Sequence, residues 1–285
     1  MALITPKQIK KYGWHPDLPD HRDHVYSAAR PIELPKKTDL ISECPEIYNQ
    51  GSLGSCTANA IGALYEFVQR KETEAFFMPS RLFIYFNERE MEGTIPVDAG
   101  AKIRDGIKSV SKIGVCPETD WPYDIKKFSK KPSTDCYTEA SEHKVIAYKR
   151  IEQTLNQLKT CLAEGYPFVF GFTVFESFET PEVAKSGIVP MPSKTEKSLG
   201  GHAVTCVGYD DDKQAFLIRN SWGKNWGIDG HCWMPYELVT SNLSSDFWTI
   251  RQTTDSGRPA PKPKKKSLWK RIKDFFFPPV SDFNS

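Results

Sequence analysis

Seven cysteines, six histidines and 36 carboxylates are spread through the 285 residues. One cysteine is set among neighbours that could make it react. Cys56 follows Gln50-Gly51-Ser52-Leu53-Gly54-Ser55, and Ala60, Ile61, Leu64, Tyr65 and Val68 recur behind it at helical spacing. The pattern predicts a helix from about Cys56 to Arg70, with Ser55 as its N-cap. A thiol in the first helical turn meets free backbone N–H groups and the positive end of the dipole, which favour the thiolate. The glycines admit another backbone, such as that of a peptide. Gln50 carries an amide that could join the Cys56 N–H as a donor pair for an oxyanion. Taken alone, the stretch fits a buried, inert helix cysteine equally well.

A base and its partner lie far downstream. Gly200-Gly201-His202-Ala203-Val204 opens a strand, and Asn220-Ser221-Trp222-Gly223-Lys224-Asn225-Trp226-Gly227-Ile228-Asp229-Gly230 follows the next. A hairpin turning at Asp210-Asp211-Asp212 would put His202 and Asn220 on neighbouring strands. Imidazole titrates near neutrality and so suits a thiol as base. Asn220 could accept from the other ring nitrogen and hold the ring, with Trp222 over that bond keeping water out. Each has a plainer reading: a satisfied strand histidine, a turn asparagine, a core tryptophan. The conjunction of Cys, upstream Gln, His and downstream Asn points to nucleophilic catalysis.

The elements that must position these groups fall in two halves. After the Cys56 helix, helical patterns recur over Pro79 to Glu90 and from about Ala101 to Ile113, where Gly114 reads as a C-cap glycine. Lys126 to Asp135 reads as a charged loop. From Lys144 on, strand patterns dominate: Val145 to Tyr148, Phe168 to Phe175, His202 to Tyr209, Ala215 to Asn220 and His231 to Pro235, with one short helix over Thr154 to Glu164. Helices first and strands later indicate an α+β protein of two lobes. Leu34 to Asn49 reads as extended.

Composition excludes some classes. The apolar fraction is 39%, and no run approaches membrane-spanning length. Net charge is +2, but from Arg258 onward there are eight Lys or Arg against two Asp, leaving 30 basic and 34 acidic side chains before it. The body is thus mildly acidic, and nucleic-acid binding is not expected. The odd cysteine count and the lack of any CxxC pair argue against a zinc ribbon and against a full disulfide framework. With no signal peptide in Met1 to Lys11, a reducing intracellular compartment is the expectation.

Gln-Gly-Ser-x-Gly-Ser-Cys, Gly-His-Ala-Val and Asn-Ser-Trp-Gly-x-x-Trp-Gly-x-x-Gly, within about Leu34 to Trp248, together resemble the papain-like cysteine peptidases. Trp121-Pro122-Tyr123 is similar to a further landmark of that family. The resemblance implies a two-lobe α+β fold, with a helical left lobe, a β-barrel-like right lobe and the active-site cleft between them. It implies Cys56 as nucleophile, His202 as base and later acid, Asn220 as orienter and Gln50 as oxyanion donor. A peptide or protein substrate would lie extended across the cleft, bound by Gly100, Gly201 and Trp222, with no cofactor and no metal. The chain departs from the pattern where Leu53 and Thr57 replace a common cysteine and tryptophan. A Gly-Cys-x-Gly-Gly stretch is reduced to Asp98-Ala99-Gly100, so one bridge of the left lobe is not expected. Cys136 resembles another bridge cysteine without a partner in the right place.

The expected activity is peptide-bond hydrolysis through a thioester acyl-enzyme. The same parts would serve transfer to an acceptor amine or a deubiquitinase-like specificity. The rival class is a non-catalytic binding module on this scaffold. Three segments follow: an N-terminal extension over 1–33, a peptidase domain over 34–252 and a tail over 253–285, in a monomer. The extension, Pro- and Asp-rich around Trp14 to His24, reads as an extended, solvated arm anchored by Trp14 and Leu18 that lies against the body near the cleft, either regulatory or a short pro-segment; its three histidines and three aspartates fit no metal motif. In the tail, Lys262 to Lys266 precede an amphipathic run with Leu268, Trp269, Ile272, Phe275 and Phe276 on one side. Contact with a membrane surface or a protein through Lys262 to Phe277, a nuclear-import signal and plain disorder are the open readings.

Overall fold

The computed structural model describes residues 12–20, 23–26, 33–73 and 75–255, so the basic tail read from the sequence lies outside the described residues. The elements run β1 (Lys37–Asp39), α1 (Cys56–Glu72), α2 (Arg81–Glu92), α3 (Ile103–Lys112), α4 (Thr134–Ala140), β2 (Val145–Arg150), α5 (Leu155–Ala163), β3 (Phe168–Phe175), α6 (Pro181–Ser186), β4 (Ser198–Asp210), β5 (Ala215–Arg219), β6 (His231–Pro235), α7 (Tyr236–Thr240) and β7 (Ser244–Thr253). Helices thus dominate the first half and strands the second, an α+β fold.

The helices begin and end where local chemistry directs. Ser80 accepts a hydrogen bond from Phe83 N at the start of α2, and Thr154 accepts one from Gln157 N at the start of α5. Each such cap is worth about 1 kcal/mol. Gly93 closes α2 at φ +71, a conformation that favours glycine. Helix α1 is buried on all sides from Cys56 to Gln69, because α2 and α3 cover one flank and β4 and β7 the other. The Cys56 side chain therefore sits at the start of a helix buried on every side.

The described strands form one antiparallel sheet in the order β2-β7-β3-β4-β5-β6, with β1 added along β4. The expected barrel-like lobe is an open sheet: β2 and β6 remain its ends. Strand β3, Phe-Val-Phe-Gly-Phe-Thr-Val-Phe, is buried on both faces over its first five residues, which is why it reads as a continuous apolar run. Its Phe170 stacks on Phe247 at 5.2 Å. Strand β4 is long enough to pair β3 with its first part and β5 with its second, so His202 falls opposite Phe172. Strand β7, which the sequence pattern did not disclose, lies between β2 and β3, and a bulge separates its Trp248 from its Ser245. The packed body also reaches into the first residues of the 253–285 stretch read as a tail. Asp255 is buried, and its carboxylate accepts from Tyr65, Gln69 and His143.

Candidate active site

The loop from Gln50 to Ser55 delivers Cys56 to the first turn of α1, and β4 and the end of β5 bring His202 and Asn220 to the same place. The His202 Nε2 lies 2.9 Å from Asn220 Oδ1, which also accepts the Ser221 N–H at 2.8 Å. Two converging donors fix that atom as the oxygen and hold the ring in its Nε2–H form, leaving Nδ1 as the basic nitrogen. Trp222 covers the pair, its ring 5.0 Å from the imidazole and tilted 31°. The backbone of Ala203, next to His202, lies beside the Cys56 sulfur and favours its thiolate. Gln50 is buried beside them: its Oε1 accepts from Ser221 Oγ at 2.6 Å and its Nε2 donates to Leu53 O at 3.0 Å, so one amide hydrogen remains.

Ser55 precedes the helix as expected but makes no side-chain cap. Its hydroxyl meets Tyr123 OH and accepts from Asn59 Nδ2, because Tyr123 also donates to Gln50 O at 3.0 Å and ties the loop to the body. Tyr123 is stacked on the Arg81 guanidinium, 4.2 Å away, which also pairs with Glu118 at 2.7 Å. Asp98 does the same work on the other side. Both its oxygens accept the Gly54 N–H, and Tyr85 OH donates to it while receiving the Gly100 N–H. Asp98 and the Tyr123–Arg81 stack carry no sequence signal of their own; only the landmark tripeptide around Tyr123 hinted at a role.

Among the described residues of the N-terminal arm, Tyr12, Gly13 and Trp14 are buried, while His15, Pro16, Leu18 and Pro19 are exposed. Residues 12–17 lie in the groove over Cys56. Trp14 N donates to Gly201 O at 2.9 Å, Gly13 O accepts from Ala101 N at 2.7 Å, and His15 N donates to Ala101 O. The backbone pairing expected near Gly100 and Gly201 is thus made by the chain itself, through Ala101 rather than Gly100. A Cβ on Gly100 would come within 2.0 Å of Gly13 O, and one on Gly13 within 1.7 Å of Gly54 O, so glycine is required at both. Tyr12 meets the His202 ring edge-on at 6.0 Å. Of the two expected anchors, Trp14 is buried but Leu18 is 73% exposed. Asp17 is the second anchor instead, accepting from Trp248 Nε1 and Arg104 N. Farther on, residues 24–26 run along the free side of β2, where Asp23 pairs with Arg104 and Arg150.

The arm changes the sulfur's chemistry. Burial pushes the Cys56 thiol up to about 12, against the opposing pull of the Ala203, Gly13 and Thr57 backbone. Burial disfavours the charged sulfur while the backbone N–H groups favour it, and in this covered arrangement burial is the larger effect. All seven cysteines are free. Cys136, for which the sequence offered no partner, lies within hydrogen-bonding reach of Cys116.

Known proteins resemble this chain in sequence and in fold. The family model described as papain family cysteine protease matches residues 34–247. An uncharacterised peptidase C1-like protein of Acanthamoeba polyphaga mimivirus is 45% identical over 267 residues, 89% of this chain and 84% of its own. Bovine pro-cathepsin H is 30% identical over 199 residues, and the chain spans 54% of its length. Among solved structures, xylellain, a cysteine protease from Xylella fastidiosa, superposes with a TM-score of 0.79 at 44% identity, covering 88% of this chain and 99% of that one.

Proposed function

From a chain that belongs to the papain family of cysteine proteases, and so is a hydrolase, we propose a peptidase that cleaves through a Cys56 acyl-enzyme and is held latent by its own N-terminal arm. Cys56 attacks the substrate carbonyl, and His202 first takes the thiol proton and then gives it to the leaving amine. Asn220 keeps the imidazole oriented, and the Cys56 amide with the remaining Gln50 N–H stabilises the oxyanion. Water then releases the acid. The observation that carries this reading is the buried His202–Asn220 hydrogen bond, one residue from the Ala203 backbone that lies beside the Cys56 sulfur.

The arm's role rests on its place over the sulfur. Residues 1–33 would act as a regulatory segment, residues 34–252 as the peptidase and residues 253–285 as a tail. In the full-length protein, a thiol-reactive epoxide should label Cys56 slowly. Trp14→Ala should speed that labelling at least tenfold, because a buried tryptophan holds about 3–5 kcal/mol. Cys56→Ala should abolish both labelling and peptide hydrolysis while keeping the wild-type melting point. Hydrolysis surviving in Cys56→Ala would overturn the catalytic reading. Equal labelling of wild type and Trp14→Ala would overturn the latent arm. The rival, a binding module whose groove is filled by its own arm, predicts labelling of Trp14→Ala without hydrolysis of any peptide.

A further inference from the structure

Helix α1 starts without the cap its sequence offers. The Ser55 hydroxyl is taken by Tyr123 and Asn59 and makes no cap hydrogen bond. The N–H groups of a first turn have no acceptor in the helix ladder, so the ladder of α1 holds them least. They include the Cys56 amide assigned to the oxyanion. The turn is braced from α2 instead. Thr57 Oγ1 donates to Glu88 Oε2 at 2.8 Å across 31 residues of chain, and both side chains are fully buried. Helix α3 crosses the pair at Gly106, where a Cβ would stand 2.2 Å from Glu88 Oε1 and 2.3 Å from Ile61, so glycine makes room for the carboxyl. Glu88 Oε1 itself is buried and has no hydrogen-bond partner among the described residues. A buried carboxyl with one oxygen unmatched weakens a fold, so its presence points to a role other than packing.

We propose that Glu88 is a positioning residue for the hydrolytic reaction: through the Thr57 hydroxyl it fixes the first turn of α1 and so aims the backbone N–H groups that serve Cys56. The inference rests on the hydrolytic reading for its effect on turnover, but not for its effect on the sulfur. Thr57 follows Cys56 directly, and its backbone favours the Cys56 thiolate. The charged groups facing Glu88 are Glu92 and Arg89 on α2 and Asp105 on α3, and burial outweighs them all in keeping the carboxyl protonated. Glu88 therefore accepts from Thr57 without setting a negative charge beside a sulfur that must itself become negative. A carboxamide in its place would do the same, and an alkyl side chain would not.

The test uses the full-length Trp14→Ala protein, so that the arm no longer limits access. Two readouts are followed: the pH profile of Cys56 alkylation by iodoacetamide, which needs no turnover, and kcat and KM on one peptide. Thr57→Val keeps the shape and removes the hydroxyl. It should move the alkylation profile to higher pH and lower kcat about tenfold, with KM within about twofold, as expected for one lost hydrogen bond. Glu88→Leu should match it, and the double variant should be no worse than either, because each change removes the same bond. Glu88→Gln, which still accepts, should keep the alkylation profile and kcat of the Trp14→Ala protein. Should Glu88→Leu fail to fold, Thr57→Val and Glu88→Gln decide alone. A Thr57→Val protein changed only in its melting point, losses that multiply in the double variant, or a Glu88→Gln protein as impaired as Thr57→Val would overturn the assignment. A shifted alkylation profile without hydrolysis by any of these proteins would uphold the brace and strike the hydrolytic reading.

Discussion

At the scale of single residues, the catalytic candidates are held by neighbours that matter as much as they do. Asn220 Oδ1 holds the imidazole, and Asn220→Ala would leave a buried ring N–H unpaired as the ring becomes charged. A hydrogen bond to a charged group is worth about 1.5–3 kcal/mol, so kcat/KM should fall roughly ten- to hundredfold, mainly in kcat. An unchanged kcat would remove Asn220 from the mechanism. Glu88 is fully buried, its Oε2 accepts from Thr57 Oγ1 at 2.8 Å, and burial raises its pKa well above the usual carboxylate range. It is neutral in the fold and charged in the unfolded chain above about 4.3. Stability from this group is therefore full below that pH and is lost as pH rises. Glu88→Gln should raise the denaturant midpoint at neutral pH and flatten its dependence on pH. Cys56, His202 and Asn220 were legible because each stands in a distinctive run. Asp98 and Asp246 were not: a lone aspartate acquires its role only when the chain brings Gly54 or Trp14 to it.

Among the elements, the arm is the one whose behaviour the fold makes conditional on pH. The Asp17 carboxylate accepts only neutral donors, Trp248 Nε1 and the Arg104 amide, and Asp246 likewise accepts from Trp14 Nε1 and Asp17 N. The guanidinium groups facing them, Arg104 from α3 and Arg150 from β2, are engaged by Asp23, and the arm also carries Asp20 on this side. Burial and then the charge of Asp246 push Asp17 up to about 7. A released Asp17 titrates near ~3.9. The arm is thus held most firmly below about pH 4 and progressively less up to about pH 7. Cys56 labelling should show this loosening in the wild type relative to Asp17→Asn, whose arm stays closed across the range. Parallel pH profiles for the two would show that the carboxylates do not govern release. The sequence disclosed α1, α2, α3 and α5 through their helical periodicity but not the short α4, α6 and α7, although Ser133 and Thr180 cap α4 and α6 as locally as Ser80 and Thr154 cap α2 and α5. It hid β7, whose Ser244-Ser245-Asp246 start is polar and bulged. In the arm it disclosed Trp14 as an anchor but not Asp17, which gains its role only when the fold brings Trp248 and Arg104 to it.

Across the whole molecule, the two halves are fastened at the end of β7. Asp255 accepts from Tyr65 and Gln69 on α1 and from His143 before β2, at 2.7, 2.9 and 2.7 Å. Asp255→Ala leaves those donors unpaired at a buried site and should lower stability by about 2–3 kcal/mol, read as a lower denaturant midpoint. A midpoint within error of the wild type would mean that α1 and β7 hold without the clasp. The pairing of Gly13 and Trp14 with the rims of the groove has a kinetic corollary. An occupant on the same chain as its site competes at a local concentration on the order of millimolar, whatever the protein concentration. Dilution cannot relieve it, and every visiting peptide meets a site that is only fractionally open, which inflates the apparent KM by that fraction. Irreversible inactivation should accordingly level off with rising inhibitor, and the plateau would be the frequency at which the polypeptide lets go of itself.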